Sequence, residues 1–95
     1  MSEKNRVFVR IEGRVQGVGF RYFTQEKAQQ FSLKGWVRNT HNGAVESVAE
    51  GNHADLEHWI NFLRIGPGSA LVTELTYEWS DAKDEYKGFQ IAPTL

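Results

Sequence analysis

Lys34-Gly35-Trp36-Val37-Arg38-Asn39-Thr40-His41-Asn42-Gly43-Ala44-Val45-Glu46-Ser47-Val48-Ala49-Glu50 occupies the middle of a 95-residue chain. Residues 34–40 and 43–50 read as two strands. The Asn42-Gly43 dipeptide between them is a strong short-range hairpin signal, because both residues tolerate the positive φ of a tight turn. Toward the N-terminus, Phe20, Phe23, Ala28 and Phe31 recur at helical spacing among good helix formers, which predicts a helix over 20–31. Before it, Arg6 to Glu12 alternates, with Val7, Val9 and Ile11 on one face and Phe8, Arg10 and Glu12 on the other. That is a half-buried strand, ended by Gly13. Toward the C-terminus, Asn52 caps a second helix with Asp55 three residues on, and Leu56, Trp59, Ile60 and Leu63 form its apolar stripe. Gly66 and Pro67 stop it. Ala70 to Ser80 alternates as a long strand, and after the charged turn Asp81 to Gly88 a short fifth strand is expected near Phe89 to Ala92.

The order β-α-β-β-α-β with a short fifth strand is an α+β arrangement, the split βαβ or ferredoxin-like fold, with an antiparallel sheet. Each helix has one apolar stripe, so both cover the same sheet face. In the first β-α-β crossover the two strands run parallel, and their carboxyl ends share one edge of the sheet. The hairpin's second strand fits between them and sets them about 10 Å apart. The glycine-containing loop after strand one and the residues ending strand two therefore face a common cleft.

Composition narrows what such a cleft can do. Ninety-five residues leave room for one domain, and no run approaches the roughly 18 apolar residues of a spanning helix. The polar start, Met1-Ser2-Glu3-Lys4-Asn5, carries no apolar signal region, so a cytoplasmic protein is expected. The chain has no cysteine, which removes disulfides, thiolate metal sites and thiol nucleophiles. The net charge of −1 conceals a split: residues 1–40 hold eight Lys/Arg against three Glu, and residues 41–95 hold nine acids against three bases. A basic first half hints that an anion is handled there.

Between the first strand and first helix the chain reads Gly13-Arg14-Val15-Gln16-Gly17-Val18-Gly19-Phe20-Arg21. Glycines let successive N–H groups converge, and the start of the following helix adds unpaired N–H groups and a partial positive charge. Arg21, in the first helical turn, brings a guanidinium matched to paired phosphate oxygens. The third glycine of a dinucleotide fingerprint is absent, as is the Gly-Lys-Ser/Thr of a P-loop. Asn39 and its neighbours end strand two at the edge this cradle faces.

Val15-Gln16-Gly17-Val18-Gly19-Phe20-Arg21, Gly35-Trp36-Val37-Arg38-Asn39, Asn42-Gly43 and Val45-Glu46 together resemble the acylphosphatase family. The resemblance extends through Gly51, Gly66-Pro67 and Phe89 with Ile91, nearly the whole chain. Ser32-Leu33 departs from the family's usual Gly-Leu, and Gly68 sits where a second proline is common. The resemblance implies a single domain over residues 1–95 with an ordered core of about 6–92. It also implies hydrolysis of a small acyl phosphate to a carboxylate and inorganic phosphate, without metal or other cofactor. It makes Arg21 the phosphate-binding arginine and Asn39 the water-orienting asparagine. Backbone amides of Val15, Gln16, Gly17, Val18, Gly19 and Phe20 complete the substrate site. A monomer is expected, with neither nucleic acid nor membrane as partner.

The residue chemistry is consistent with this. A carboxylate leaving group has a conjugate-acid pKa of about 4 and departs without a general acid. A site lacking a catalytic His, Cys or carboxylate therefore suffices. Asn39 removes no proton at neutral pH, but its amide can hold a water in line with phosphorus. The alternatives have less support. His53 and His58 lie five apart on a helix and point to different sides, away from a shared metal. Glu74 and Glu78 share a strand face with no supporting group. Trp36 lies beside the cleft, within reach of a substrate. An RNA recognition motif has the same element order, and Lys34-Gly35-Trp36-Val37 echoes its signature, but on strand two rather than strand three. Strand three has no aromatic and carries Glu46 and Glu50, which repel a phosphate backbone. A domain of this kind that binds small anions without turnover is the third reading, and the intact Arg21 and Asn39 argue against it.

Overall fold

The computed structural model describes residues 3–95; Met1 and Ser2, the head of the polar start, lie outside the described residues. Along these residues run β1 (Lys4–Arg14), α1 (Phe20–Gln30), β2 (Lys34–Asn39), β3 (Val45–Asn52), α2 (His53–Ile65), β4 (Leu71–Asp81) and β5 (Phe89–Ile91). Their sheet order is β4-β1-β3-β2-β5. β3 lies antiparallel between β1 and β2, as the crossover argument requires, so β1 and β2 end at one edge. Val45 is paired with both Ile11, the last residue of β1 to pair with β3, and Asn39 at the end of β2. Its backbone therefore spans the gap between the two strands.

Two details differ from the sequence reading. β1 continues past Gly13 to Arg14, because the extra residue is absorbed as a bulge: the register against β4 shifts between Glu12 and Gly13. Gly13 has φ 127°, and a Cβ there would stand 2.1 Å from the Leu71 carbonyl oxygen, so only glycine lets the strands approach so closely. The sheet is also mixed rather than antiparallel throughout. β5 runs parallel to β2, with Val37 opposite Ile91, because residues 82–88 cross the far end of the sheet before the chain re-enters beside β2.

The alternation read from the sequence decides which residues are buried. Val7, Val9 and Ile11 of β1, Val37 of β2 and Val45 and Ala49 of β3 are buried with Phe20 and Ala28 of α1 and Leu56, Trp59 and Leu63 of α2. Both helices therefore cover one face. Each large apolar side chain so buried stabilises the fold by about 1.5–3 kcal/mol. The Trp59 indole N–H donates to the Thr24 carbonyl at 3.2 Å, tying α2 to α1. The opposite face carries the charges: Arg6 pairs with Glu50 at 2.8 Å, and Glu46 is shared by Arg10 and Arg38, each at 2.9 Å. Three of the eight bases of the first half are thus paired across strands with acids of the second. The hairpin loop between β2 and β3 is His41-Asn42-Gly43, closed by the Thr40 N–H on the Ala44 carbonyl at 2.9 Å.

Candidate active site

The two helices begin differently. α2 is capped by Asn52, whose side chain accepts from the Ala54 N–H at 3.0 Å, and Asp55 stands in its first turn. α1 begins at Gly19, which offers no capping side chain, and its first turn contains no acid. A helix start leaves four N–H groups without intrahelical partners and concentrates partial positive charge there. Among the described residues no acid in the first turn of α1 answers that charge. Gly17 and Gly19 adopt φ values of 75° and 80°, the left-handed conformation that glycine reaches without a Cβ penalty. Among the described residues no protein acceptor takes the N–H groups of Gly17, Val18 or Gly19.

A cavity of about 220 Å³ opens at this point. Its walls are Val15, Gly17, Gly19 and Phe20 from the loop and helix start, Arg21 and Tyr22 from the first turn, Asn39 from the end of β2, and Ile91 from β5. The Asn39 side-chain oxygen is buried and has no hydrogen-bond partner among the described residues. A buried carbonyl oxygen left unpaired costs about 1–3 kcal/mol, so one retained at a cavity wall marks a position where an external donor is wanted. The backbone around Asn39 is well held. Its carbonyl accepts from the Leu95 N–H at 3.2 Å, and the His41 N–H donates to the Leu95 carbonyl at 3.0 Å.

Val15, Gly17, Gly19, Phe20, Arg21 and Asn39 are thus brought together around one space. Val18 packs instead against the core. The Gln16 side chain turns away to the hairpin, its Nε2 donating to the carbonyls of Thr40 and Ala44, each at 2.8 Å. The sequence reading missed Tyr22 and Ile91. Tyr22 follows Arg21 directly, and its position in the first helical turn was the available signal. Ile91 enters only because β5 lies beside β2. Trp36 does not line the cavity: side chains alternate along β2, so Trp36 and Asn39 lie on opposite faces. Its ring lies under the Arg38 guanidinium, and its N–H meets the Tyr86 hydroxyl at 3.3 Å. Arg38 and Lys34 share that other face.

His53 stacks on Trp79, whereas His58 stacks on Phe31. Among the described residues, no cluster of three or more His, Cys, Asp or Glu is arranged to hold a metal ion. A larger hollow of about 300 Å³ lies between α2 and β4. Its cation, Arg64, sits over the Tyr77 ring.

The sequence model of one family, described as acylphosphatase, matches residues 7–91. The chain belongs to the acylphosphatase family. This is a family of hydrolases acting on acid anhydrides, and the chain is an enzyme of that class. The acylphosphatase of Salinibacter ruber is 46% identical over 88 residues, spanning 93% of each chain. Among solved structures, the acylphosphatase from Bacillus subtilis superposes with a TM-score of 0.90 at 35% identity, over 93% of this chain and 98% of that one. The acylphosphatase from Coxiella burnetii does so with a TM-score of 0.88 at 32% identity, over 95% and 94%. The acylphosphatase fold is therefore the one described above. No helix of the described residues is long and apolar enough to cross a membrane.

Proposed function

We propose that the protein hydrolyses the carboxyl–phosphate bond of small acyl phosphates, releasing a carboxylate and inorganic phosphate, with no metal in the reaction. The observation that carries this reading is the meeting, in one cavity, of an uncapped helix start bearing Arg21 with the buried, unpartnered side-chain oxygen of Asn39. Arg21 and the amides of residues 15–20 take the phosphoryl oxygens, stabilising them as charge redistributes. The Asn39 side-chain oxygen accepts a hydrogen bond from a water and aims it at phosphorus. The water oxygen bonds to phosphorus as the bond from phosphorus to the carboxylate oxygen breaks. A phosphoryl oxygen takes the water's proton, and the carboxylate leaves with the bonding pair. Because that leaving group is the anion of an acid with pKa about 4, neither a general acid nor a Lewis acid is demanded.

The same reading takes residues 1–95 as a single domain, monomeric and cytoplasmic. The absence of cysteine fits a reducing compartment. It excludes nucleic acid as a partner. The open face of β3 presents Glu46, Val48 and Glu50, with both glutamates engaged by arginines, where an RNA-binding sheet would need stacking aromatics. Acetyl phosphate incubated with the protein and an excess of chelator should yield inorganic phosphate at a rate proportional to enzyme. Absence of turnover at high enzyme concentration would refute the proposal, and turnover abolished by the chelator would refute its metal independence.

A further inference from the structure

We propose that Gln16 is a positioning residue whose side chain fixes the distance between the phosphate-binding loop and Asn39, an inference that rests on the function proposed above. A glutamine amide nitrogen has two N–H donors, and both are engaged, one on the Thr40 carbonyl and one on the Ala44 carbonyl, each at 2.8 Å. These carbonyls bracket the loop that follows β2. The Ala44 oxygen already accepts the Thr40 N–H at 2.9 Å, and the Thr40 oxygen accepts the Gly43 N–H at 3.3 Å. The Thr40 hydroxyl also reaches the Ala44 oxygen at 3.3 Å, and Gln16 adds a shorter donor to each carbonyl, so the hairpin end becomes a fixed point.

Thr40 is covalently next to Asn39 and is buried, while Gln16 lies between Val15 and Gly17, both cavity walls. Among the described residues, no other side chain of residues 15–20 bonds to the hairpin. Without this tie, a loop containing two left-handed glycines has only packing to hold it at a set distance from the asparagine. With both donors engaged, the side chain has none left for a phosphoryl oxygen. Its contribution is to geometry, and in-line displacement is sensitive to that: a misplacement of about 1 Å costs on the order of 10² in rate.

The test is a double-mutant cycle between Gln16→Met, similar in length but without donors, and Asn39→Ala, read in acyl phosphate hydrolysis. Gln16→Met should lower kcat by about 10- to 100-fold in the otherwise native protein, and by less than about twofold when Asn39 is already alanine. Inhibition by inorganic phosphate should shift by less than about threefold in Gln16→Met, since Arg21 and the loop amides remain. Equal losses in both backgrounds, no loss in the native background, or a fall in phosphate affinity matching the fall in kcat would each overturn the role. If thermal unfolding shows that Gln16→Met does not fold, Gln16→Asn, too short to reach both carbonyls, is read in the same way. A native protein without turnover would overturn the proposed function itself and this role with it. An active native protein with additive losses would overturn only Gln16.

Discussion

On the function proposed above, the molecule builds the same kind of anion receptor twice, at opposite ends of its sheet, and fills only one of them itself. At the end where β3 finishes, the Glu50 carboxylate accepts the N–H groups of Lys83 at 2.9 Å and Asp84 at 3.0 Å and the Arg6 guanidinium at 2.8 Å. Asp84 has φ 54°, and a left-handed residue is what makes neighbouring amides converge into an anion-binding concavity. Burial pushes the Glu50 carboxyl up, but the Lys83 amide, Arg6 and the Asp84 amide together outweigh it and hold it below the usual carboxylate range. At the other end, left-handed Gly17 and Gly19 and the first turn of α1 supply the amides and Arg21 the guanidinium, yet the helix start carries no acid. Where the chain provides the anion, the receptor holds structure together. Where it does not, the function proposed above has the anion come from solution, which would make the receptor a site.

The comparison is broken most severely by removing the groups that act on the external anion. Arg21→Gln should lower both phosphate affinity and kcat, whereas Asn39→Ala should lose rate with little loss of phosphate affinity. By analogy with removing one oxyanion donor, each rate loss is on the order of 10² to 10³. Steady-state kinetics with phosphate as inhibitor separates the two, and equal loss of phosphate binding in both variants would contradict the division of labour.

Giving the open receptor an anion of its own is the next test. A Cβ at Gly19 meets nothing within 4 Å, and aspartate tolerates the left-handed conformation better than most residues. Gly19→Asp should weaken inorganic phosphate binding by about tenfold or more, because a carboxylate now stands where the helix dipole favours negative charge. Titration calorimetry checks this, and unchanged affinity would show that the helix start contributes nothing to binding.

The converse change at the filled receptor should leave catalysis alone. Glu50→Gln should destabilise the fold by about 1–3 kcal/mol, through a half-buried arginine and two amides left with a weaker acceptor, with kcat unaltered. The pH dependence has a definite sign. Since the folded Glu50 titrates below its ordinary value of 4.5, its contribution is complete above that pH and is lost as acidification carries the pH through the lower folded value. Urea unfolding of the native protein from pH 6 downward should show that loss, and Glu50→Gln should lack this component.

Most of the fold was legible because it is written in local periods. The alternation of Val7, Val9 and Ile11 and the stripe of Leu56, Trp59, Ile60 and Leu63 each predict an element and the face it buries. The placement of β3 between β1 and β2 follows from crossover geometry. What was not legible depends on partners distant in sequence. The Gly13 bulge exists only against β4, and the parallel docking of β5 decides that Ile91 reaches the cavity. The charge split suggested an anion site, but the pairing of Arg6 with Glu50 and of Arg10 and Arg38 with Glu46 requires a strand register that no local pattern contains. Arg21 and Asn39 were legible as motif residues. The misplaced Trp36 had its answer in the sequence, since three steps along a strand separate it from Asn39 and an odd number of steps reverses the face. Ser32, a departure from the family's usual glycine, lies at φ 57°, and the residue's identity alone gives no hint of that left-handed turn after α1.

The double pairing of Val45 bears on the order in which this molecule folds. Asn39 and Ile11 of β1 are held apart by a single residue of β3, so an intermediate in which β1 and β2 are formed but β3 has not inserted has no cavity of the right width. The local hairpin of β2 and β3 can close early, but β3 must then find β1 across a long stretch of chain, and such non-local contacts are the slow ones. Recovery of activity during refolding should therefore report the docking of β3 onto β1, a step that closure of the local hairpin can precede.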